Sequence, residues 1–164
     1  SVALSSENTM AIVRNLLRDV VRAAGDLSGR LVKRDVELAR RAARILPELA
    51  PVAVGRDGRI LEWNESLAET DPLHRHLSHL YELHPGCGIT PATPRLLDAA
   101  RRSLDVRGLD GSGWSLVWRM MMWARLGDGD RVGEMLRRSV RLVPADAAAS
   151  VHGGGVYSSL LCAH

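Results

Sequence analysis

Apolar residues recur along this chain mostly at helical spacing. Met10, Val13, Leu16, Leu17, Val20 and Val21 fall on one face, which predicts a helix over about 9–24. Ser6 and Asn8 precede it as candidate caps, and Gly25 follows as a stop. A second helix is predicted over about 31–46, burying Val32, Val36, Leu38, Ala39, Ala42, Ala43 and Leu46. Lys33, Arg34, Glu37, Arg40, Arg41 and Arg44 form its solvated face, and Pro47 and Pro51 close it. A third is predicted over about 94–106, with Leu96, Leu97, Ala100 and Leu104 inward. Two more cover about 114–126 and 131–142, and the first of these is apolar nearly all round, which predicts burial. Between them Gly127-Asp128-Gly129-Asp130 reads as a tight turn with a cap. From Pro144 the chain turns Ala-rich and then Gly-rich (Gly153-Gly154-Gly155), and reads as loop. The one strand signal lies over about 52–63, where Asp57-Gly58 between apolar runs predicts a short hairpin. The expected class is therefore all-α with one hairpin. Short links between long helices make neighbours antiparallel, as in a bundle, a solenoid or part of an α/α barrel.

Length and composition narrow the class. At 164 residues the chain suits one domain, 1–164, long enough to bury roughly 70% of its unfolded surface. It has 46% hydrophobic and 25% charged residues, which excludes disorder throughout. Phe is absent, so the core is expected to be aliphatic. No apolar run reaches the roughly 18 residues of a membrane span, and no signal peptide is visible at the start. The charge is +3, but basic and acidic residues alternate, as in Arg34-Asp35-Val36-Glu37, whereas a nucleic-acid surface would cluster the basic ones. The 22 basic residues include a single lysine, Lys33. Cys87 and Cys162 form no CxxC pair, so they suggest neither a zinc site nor a disulfide framework and leave the compartment open.

The chemistry concentrates in a loop over 71–86. Asp71-Pro72-Leu73-His74-Arg75-His76-Leu77-Ser78-His79-Leu80 holds three histidines around an arginine, and His84 follows. Metal binding by His74, His76 and His79 needs convergent imidazoles and usually a carboxylate; Arg75 stands among them and HEXXH is missing. A polyol surface is the competing reading, because guanidinium and imidazole N–H groups are fixed donors for sugar hydroxyls. Leu77 and Leu80 are expected to anchor the loop, and His79 and His84 to lock it as buried hydrogen-bonding residues. Gly111-Ser112-Gly113 precedes a helix, but no Walker lysine follows, so presentation of Trp114 to a pocket suits it better than phosphate binding. Trp114, Trp118 and Met122 at i+4 spacing equally fit a core stripe, to which Trp123 adds. Gly127 to Asp130 lacks the remaining ligands of a calcium loop. Glu7, Glu62, Glu65 and Glu69 are candidate acids by type, without a spacing that marks a catalytic pair.

These residues resemble a known family. The 71–80 segment with Gly86 is similar to the DPxHRHxSHL…PG segment of glycoside hydrolase family 95, the inverting α-L-fucosidases. Gly55-Arg56-Asp57-Gly58 through Leu61-Glu62-Trp63 resembles its GxDGxxxEW stretch. Gly111 to Ser115, with Trp118 and Trp123 to Gly129, resembles its GTGWSxAW…WARLGDG stretch. Ala11-Ile12-Val13-Arg14 with Leu16-Leu17 resembles the helix that opens this portion.

The resemblance implies part of a catalytic (α/α)6 barrel in which Arg75 and His76 contact fucose, Trp114 being a candidate pocket residue. It implies hydrolysis with inversion, a glutamic acid protonating the leaving oxygen and an aspartate-supported asparagine activating water. The asparagines belong to an NxNxxMNYW-like segment and the aspartate to a PPFQIDGN-like segment, neither of which is present. No catalytic residue is therefore expected within the chain. Glu7 is the only acid near its beginning, and its plainer role is to complement a helix dipole. The chain thus reads as a piece of a larger fucosidase or α-L-galactosidase, inactive alone. It is expected to need no cofactor or metal, to take a fucosylated glycan as partner, to bind neither nucleic acid nor membrane, and to self-associate through open barrel faces. A non-catalytic helical interaction module is the alternative.

Overall fold

The computed structural model describes residues 6–144 and 154–162. These residues contain five α-helices: α1 (Glu7–Asp26), α2 (Lys33–Ile45), α3 (Pro94–Arg107), α4 (Gly113–Arg125) and α5 (Gly129–Ser139). The protein is all-α, as the apolar spacing predicts. The described residues form two compact units: one holds 6–67 and 78–89, the other 68–77, 90–144 and 154–162.

In the first unit Ser6 caps α1, its hydroxyl accepting from the Thr9 N–H at 3.3 Å, while α1 runs past Gly25 to Asp26. Lys33, the lone lysine, opens α2, and Pro47 turns its end into one 3₁₀ turn. The two helices pack together across the 27–32 link, with Ala11 and Ala42 buried. The expected inward faces hold only in part. Leu16 is 59% exposed, because α1 buries Glu7, Ala11 and Arg14 instead, and on α2 Leu38 is 57% exposed while Ala42 is buried. Ile60, Leu80, Leu83 and Ile89 complete the apolar interior of this unit.

The hairpin expected over 52–63 does not form. Val54 and Ile60 make one isolated antiparallel bridge, with Gly55 N–H to the Arg59 carbonyl at 2.8 Å and Leu61 N–H to the Ala53 carbonyl at 3.0 Å. Pairing stops there for a physical reason. Pro51 has no N–H to offer, and the second arm turns to the entry of α1, where the Glu62 carbonyl accepts from Glu7 N–H at 3.0 Å and Trp63 bridges Ser6.

A buried ion cluster occupies this unit. Glu82, fully buried, accepts from Arg14 Nε at 2.8 Å and from Arg18 Nη2 at 2.7 Å. Arg14 also pairs with Glu7 and donates to the Ala50 carbonyl. Burial outweighs the Arg14 charge and, with the Glu82 carboxylate, pushes the Glu7 pKa from 4.5 up to about 7. Between those values the folded chain keeps a proton that the unfolded chain has lost, so raising the pH favours unfolding. Relative to Glu7→Gln, the wild type is expected to lose thermal stability as pH rises from 5 to 8. Parallel melting curves across that range would contradict the assignment.

In the second unit Pro94 opens α3, and Gly108, at φ +68°, ends it. Asp128 caps α5, its carboxylate accepting from Arg131 N–H at 3.1 Å. Here α4 and α5 pack together around Leu116, Met122, Trp123, Leu126 and Met135. α4 is not buried all round: Trp114, Val117 and Met121 are about 40% exposed, and the buried side includes Ser115 and Arg119. Of the tail read as loop, Pro144 and 154–162 are described, and Val156 bridges both Leu142 and Cys162; Gly153 lies outside the described residues.

Candidate functional site

Arg75, His76 and Trp114 all lie in the second unit. The 68–77 segment has no regular structure, so its shape depends on the side chains that pin it. Arg107, buried near the end of α3, pairs with Glu69 at 3.1 Å and donates to the Pro72 carbonyl at 2.7 Å. The Asp71 carboxylate accepts from Leu73 N–H at 3.2 Å, an Asx turn that suits the Asp-Pro sequence. Ser115, fully buried in the first turn of α4, donates its hydroxyl to the Arg75 carbonyl at 2.8 Å. Leu77, fully buried, fixes the end of the segment, as expected. The backbone of Arg75 is thus held while its side chain is exposed.

Arg75 and His76 act on each other. Arg75 Nε donates to His76 Nε2 at 3.4 Å. A guanidinium N–H is always a donor, so His76 Nε2 is the bare nitrogen and the ring proton resides on Nδ1. Loss of solvent around the ring, then the charges of His74 and Arg75, hold the His76 pKa below its usual value and favour that neutral form. The terminal nitrogens of Arg75 and the Nδ1 of His76 have no protein partner among the described residues. Two adjacent side chains therefore offer donors in a fixed relation.

Aromatic rings surround this pair. His76 stacks on His74 with centroids 4.9 Å apart, and meets Trp114 edge to face at 5.2 Å. Trp114 lies 5.9 Å from Trp118, their planes within 30° of each other. Such a surface, polar donors beside indole rings, suits a ligand with hydroxyls on one side and C–H groups on the other.

The other candidates fall elsewhere. His79 is buried in the first unit, and among the described residues no three His, Cys, Asp or Glu side chains group as a metal site. Gly111, Ser112 and Gly113 are buried, so the start of α4 is not an open phosphate cradle. Glu7 is engaged by Arg14, Glu69 by Arg107, and the Glu62 carbonyl by the entry of α1. Sequence reasoning missed Ser115 and Arg107 as residues that hold the Arg75 segment. Ser115 lies inside a recognised motif, but nothing local reveals that its hydroxyl reaches a carbonyl 40 positions away.

Comparison with known proteins agrees with the resemblance. Residues 1–164 match the glycosyl hydrolase family 95 catalytic domain. Alpha-L-fucosidase 2 of Arabidopsis thaliana is 33% identical over 165 residues, covering 100% of this chain and 19% of that protein. Probable alpha-fucosidase A of Aspergillus niger is 31% identical over 97 residues, covering 55% of this chain and 12% of that protein. The corresponding protein of Aspergillus oryzae is 29% identical over 114 residues, 62% of this chain and 16% of that protein. The chain therefore spans about a fifth or less of the length of these relatives. With the match running over its whole length, the chain belongs to the glycosyl hydrolase family 95 catalytic domain family.

Proposed function

We propose that this chain supplies the sugar-gripping part of an inverting glycosidase that removes terminal α-L-fucosides, or the similar α-L-galactosides, from glycans. The observation that carries this reading is the Arg75–His76 contact at 3.4 Å beside Trp114, in a chain of this family. The Arg75 terminal nitrogens donate to neighbouring hydroxyls of the sugar. The neutral His76 donates through Nδ1, and the Trp114 indole walls the pocket. Each bond gains strength as water is excluded around the bound sugar.

The five helices form part of an (α/α)6 barrel whose remaining helices belong to the rest of the enzyme. Inversion needs an acid on the leaving oxygen and an activated water on the opposite face of the ring. We assign neither role to a residue of 1–164, so the chain alone binds but does not hydrolyse. Leu16 of α1 and Leu38 of α2, more than half exposed, are faces through which copies of the chain self-associate.

A titration of the purified chain with L-fucose, followed by tryptophan fluorescence, tests the reading. Saturable binding is expected, weakened at least about ten-fold by Arg75→Ala, with no fucose released from a fucoside. Equal affinity of the two proteins, or turnover by the chain, would overturn it.

A further inference from the structure

We propose that the exposed face of α2, in the first unit, is a docking surface for a sulfated polysaccharide. The proposal goes beyond the fucose grip and does not depend on it. The choice of a glycan among polyanions rests on membership of a glycosyl hydrolase family.

At about 3.6 residues per turn, Lys33, Glu37, Arg40, Arg41 and Arg44 lie along one side of α2, with Arg34 at the edge. All six residues are exposed. Ala42, which α2 buries, lies on the opposite side, and so does Asp35. The stripe therefore sets five cations against one acid. From Lys33 to Arg44 it runs about 16 Å, at a rise of about 1.5 Å per residue. Arg44 approaches Glu37 only to 4.0 Å, with both side chains more than two-thirds exposed. Lys33, Arg34, Arg40 and Arg41 have no carboxylate partner among the described residues.

The helix itself gains nothing from this pattern. Lys33 and Arg34 stand in its first turn, where the dipole favours acids, and Asp35 is the one acid there. Arg40 and Arg44 are like charges one turn apart, a spacing that destabilises an exposed helix. Val32 supplies no side-chain cap to offset these costs. An anionic ligand along the stripe relieves the repulsion at both ends of the helix.

The ligand class follows from the charges. Four of the five cations are arginines, whose weakly hydrated planar fork suits an oxyanion with several oxygens. A sulfate ester is such an anion and stays ionised at any ordinary pH. Cations spaced about one turn apart suit charges repeated along an extended polymer better than a single ion. α2 has no aromatic residue on which a base could stack, and Glu37 interrupts the stripe, so a nucleic acid fits it less well. It has no Trp or Phe to enter a lipid interface, and its other side packs against α1.

The test is calorimetric titration of the purified chain with heparin at low salt. Saturable binding is expected, at least about ten-fold weaker for Arg40→Gln/Arg41→Gln. Glu37→Gln is expected to bind more tightly, a gain that lost folding could not produce. Arg95→Gln/Arg125→Gln, which removes as much charge from α3 and α4, should leave the affinity unchanged. Polygalacturonate, with carboxylates in place of sulfates, is expected to bind at least about ten-fold more weakly. No binding of heparin, or an equal loss in the two double variants, would overturn the docking face. Polygalacturonate, a DNA oligonucleotide or phosphatidylserine vesicles binding as tightly as heparin would overturn the sulfated polysaccharide as its ligand. L-Fucose affinity should be the same in Arg40→Gln/Arg41→Gln as in wild type. Failure to bind fucose therefore overturns the fucose reading alone, and failure to bind heparin overturns this proposal alone.

Discussion

Glu82→Ala is expected to destabilise the first unit by about 3–5 kcal/mol, the cost of leaving a buried charge without its partner. Glu82 is fully buried and takes three hydrogen bonds from two arginines: Arg14 Nε at 2.8 Å, Arg18 Nη2 at 2.7 Å and Arg18 Nη1 at 3.1 Å. Alanine would leave Arg14, 6% exposed, facing a void with only Glu7 and the Ala50 carbonyl to hold it. Gly88 packs closely against the carboxylate. A methyl group on Gly88 would lie 2.7 Å from the Glu82 carboxyl carbon and 3.1 Å from Arg18 Nη1. A loss of that size is a large share of the roughly 5–15 kcal/mol that holds a domain together. Urea unfolding followed by circular dichroism measures it. Glu82→Gln should recover part of the loss by keeping shape and acceptor. Arg14→Met combined with Glu82→Leu should recover little, because it takes the partners from buried Glu7 and from Arg18. A loss under about 1 kcal/mol for Glu82→Ala would mean that the cluster is solvated in solution.

Arg119→Ala is expected to cost about 3 kcal/mol or more in the second unit and to loosen the proposed sugar grip with it. Arg119 is fully buried on α4, and its Nη1 donates to the carbonyls of Arg107 at 2.9 Å, Gly108 at 3.2 Å and Asp110 at 2.7 Å. These carbonyls end α3 and form its link to α4, where no further backbone N–H is at hand and negative partial charge gathers. Burial, then the Arg107 charge, lowers the Arg119 pKa, yet a guanidinium stays protonated at any ordinary pH. Truncation removes the shared donor and leaves three acceptors around a cavity. The link it releases leads directly into Trp114 and Ser115, the latter holding the Arg75 carbonyl. Fucose affinity should therefore fall in a variant that still folds, and Arg119→Lys should restore part of both properties. Lost stability with sugar affinity unchanged would separate this strut from the site.

The helices were legible because each carries punctuation that acts locally. Ser6, Pro94 and Asp128 open α1, α3 and α5, and Gly108 ends α3, within a few positions of where spacing placed them. The hairpin was misread because Asp57-Gly58 does make its turn, with the Asp57 carboxylate taking both Arg59 N–H at 3.1 Å and Arg59 Nε at 2.7 Å. A turn does not oblige the arms to pair, and the second arm found the start of α1 instead. Arg75 and His76 were legible as chemistry, since two strong donor types adjoin in the chain. What fixes them was not: Arg107 and Ser115 approach from distant positions and act on backbone atoms, which no side-chain pattern announces. Glu82 escaped notice for the same reason. The signal available was an acid between the apolar Tyr81 and Leu83, with Arg14 and Arg18 one helical turn apart on α1. Only the fold joins positions 64 and 68 residues apart.

The lone lysine at the head of α2 gives a means of watching the first unit by itself. A protease that cleaves only after lysine has one scissile bond in this chain, between Lys33 and Arg34. That bond lies in the first turn of a helix, which must unwind into an extended strand before it can enter a protease cleft. The rate at which intact chain gives way to two products then counts openings of the first turn of α2. Every other arginine-rich segment of the chain stays invisible to the blade.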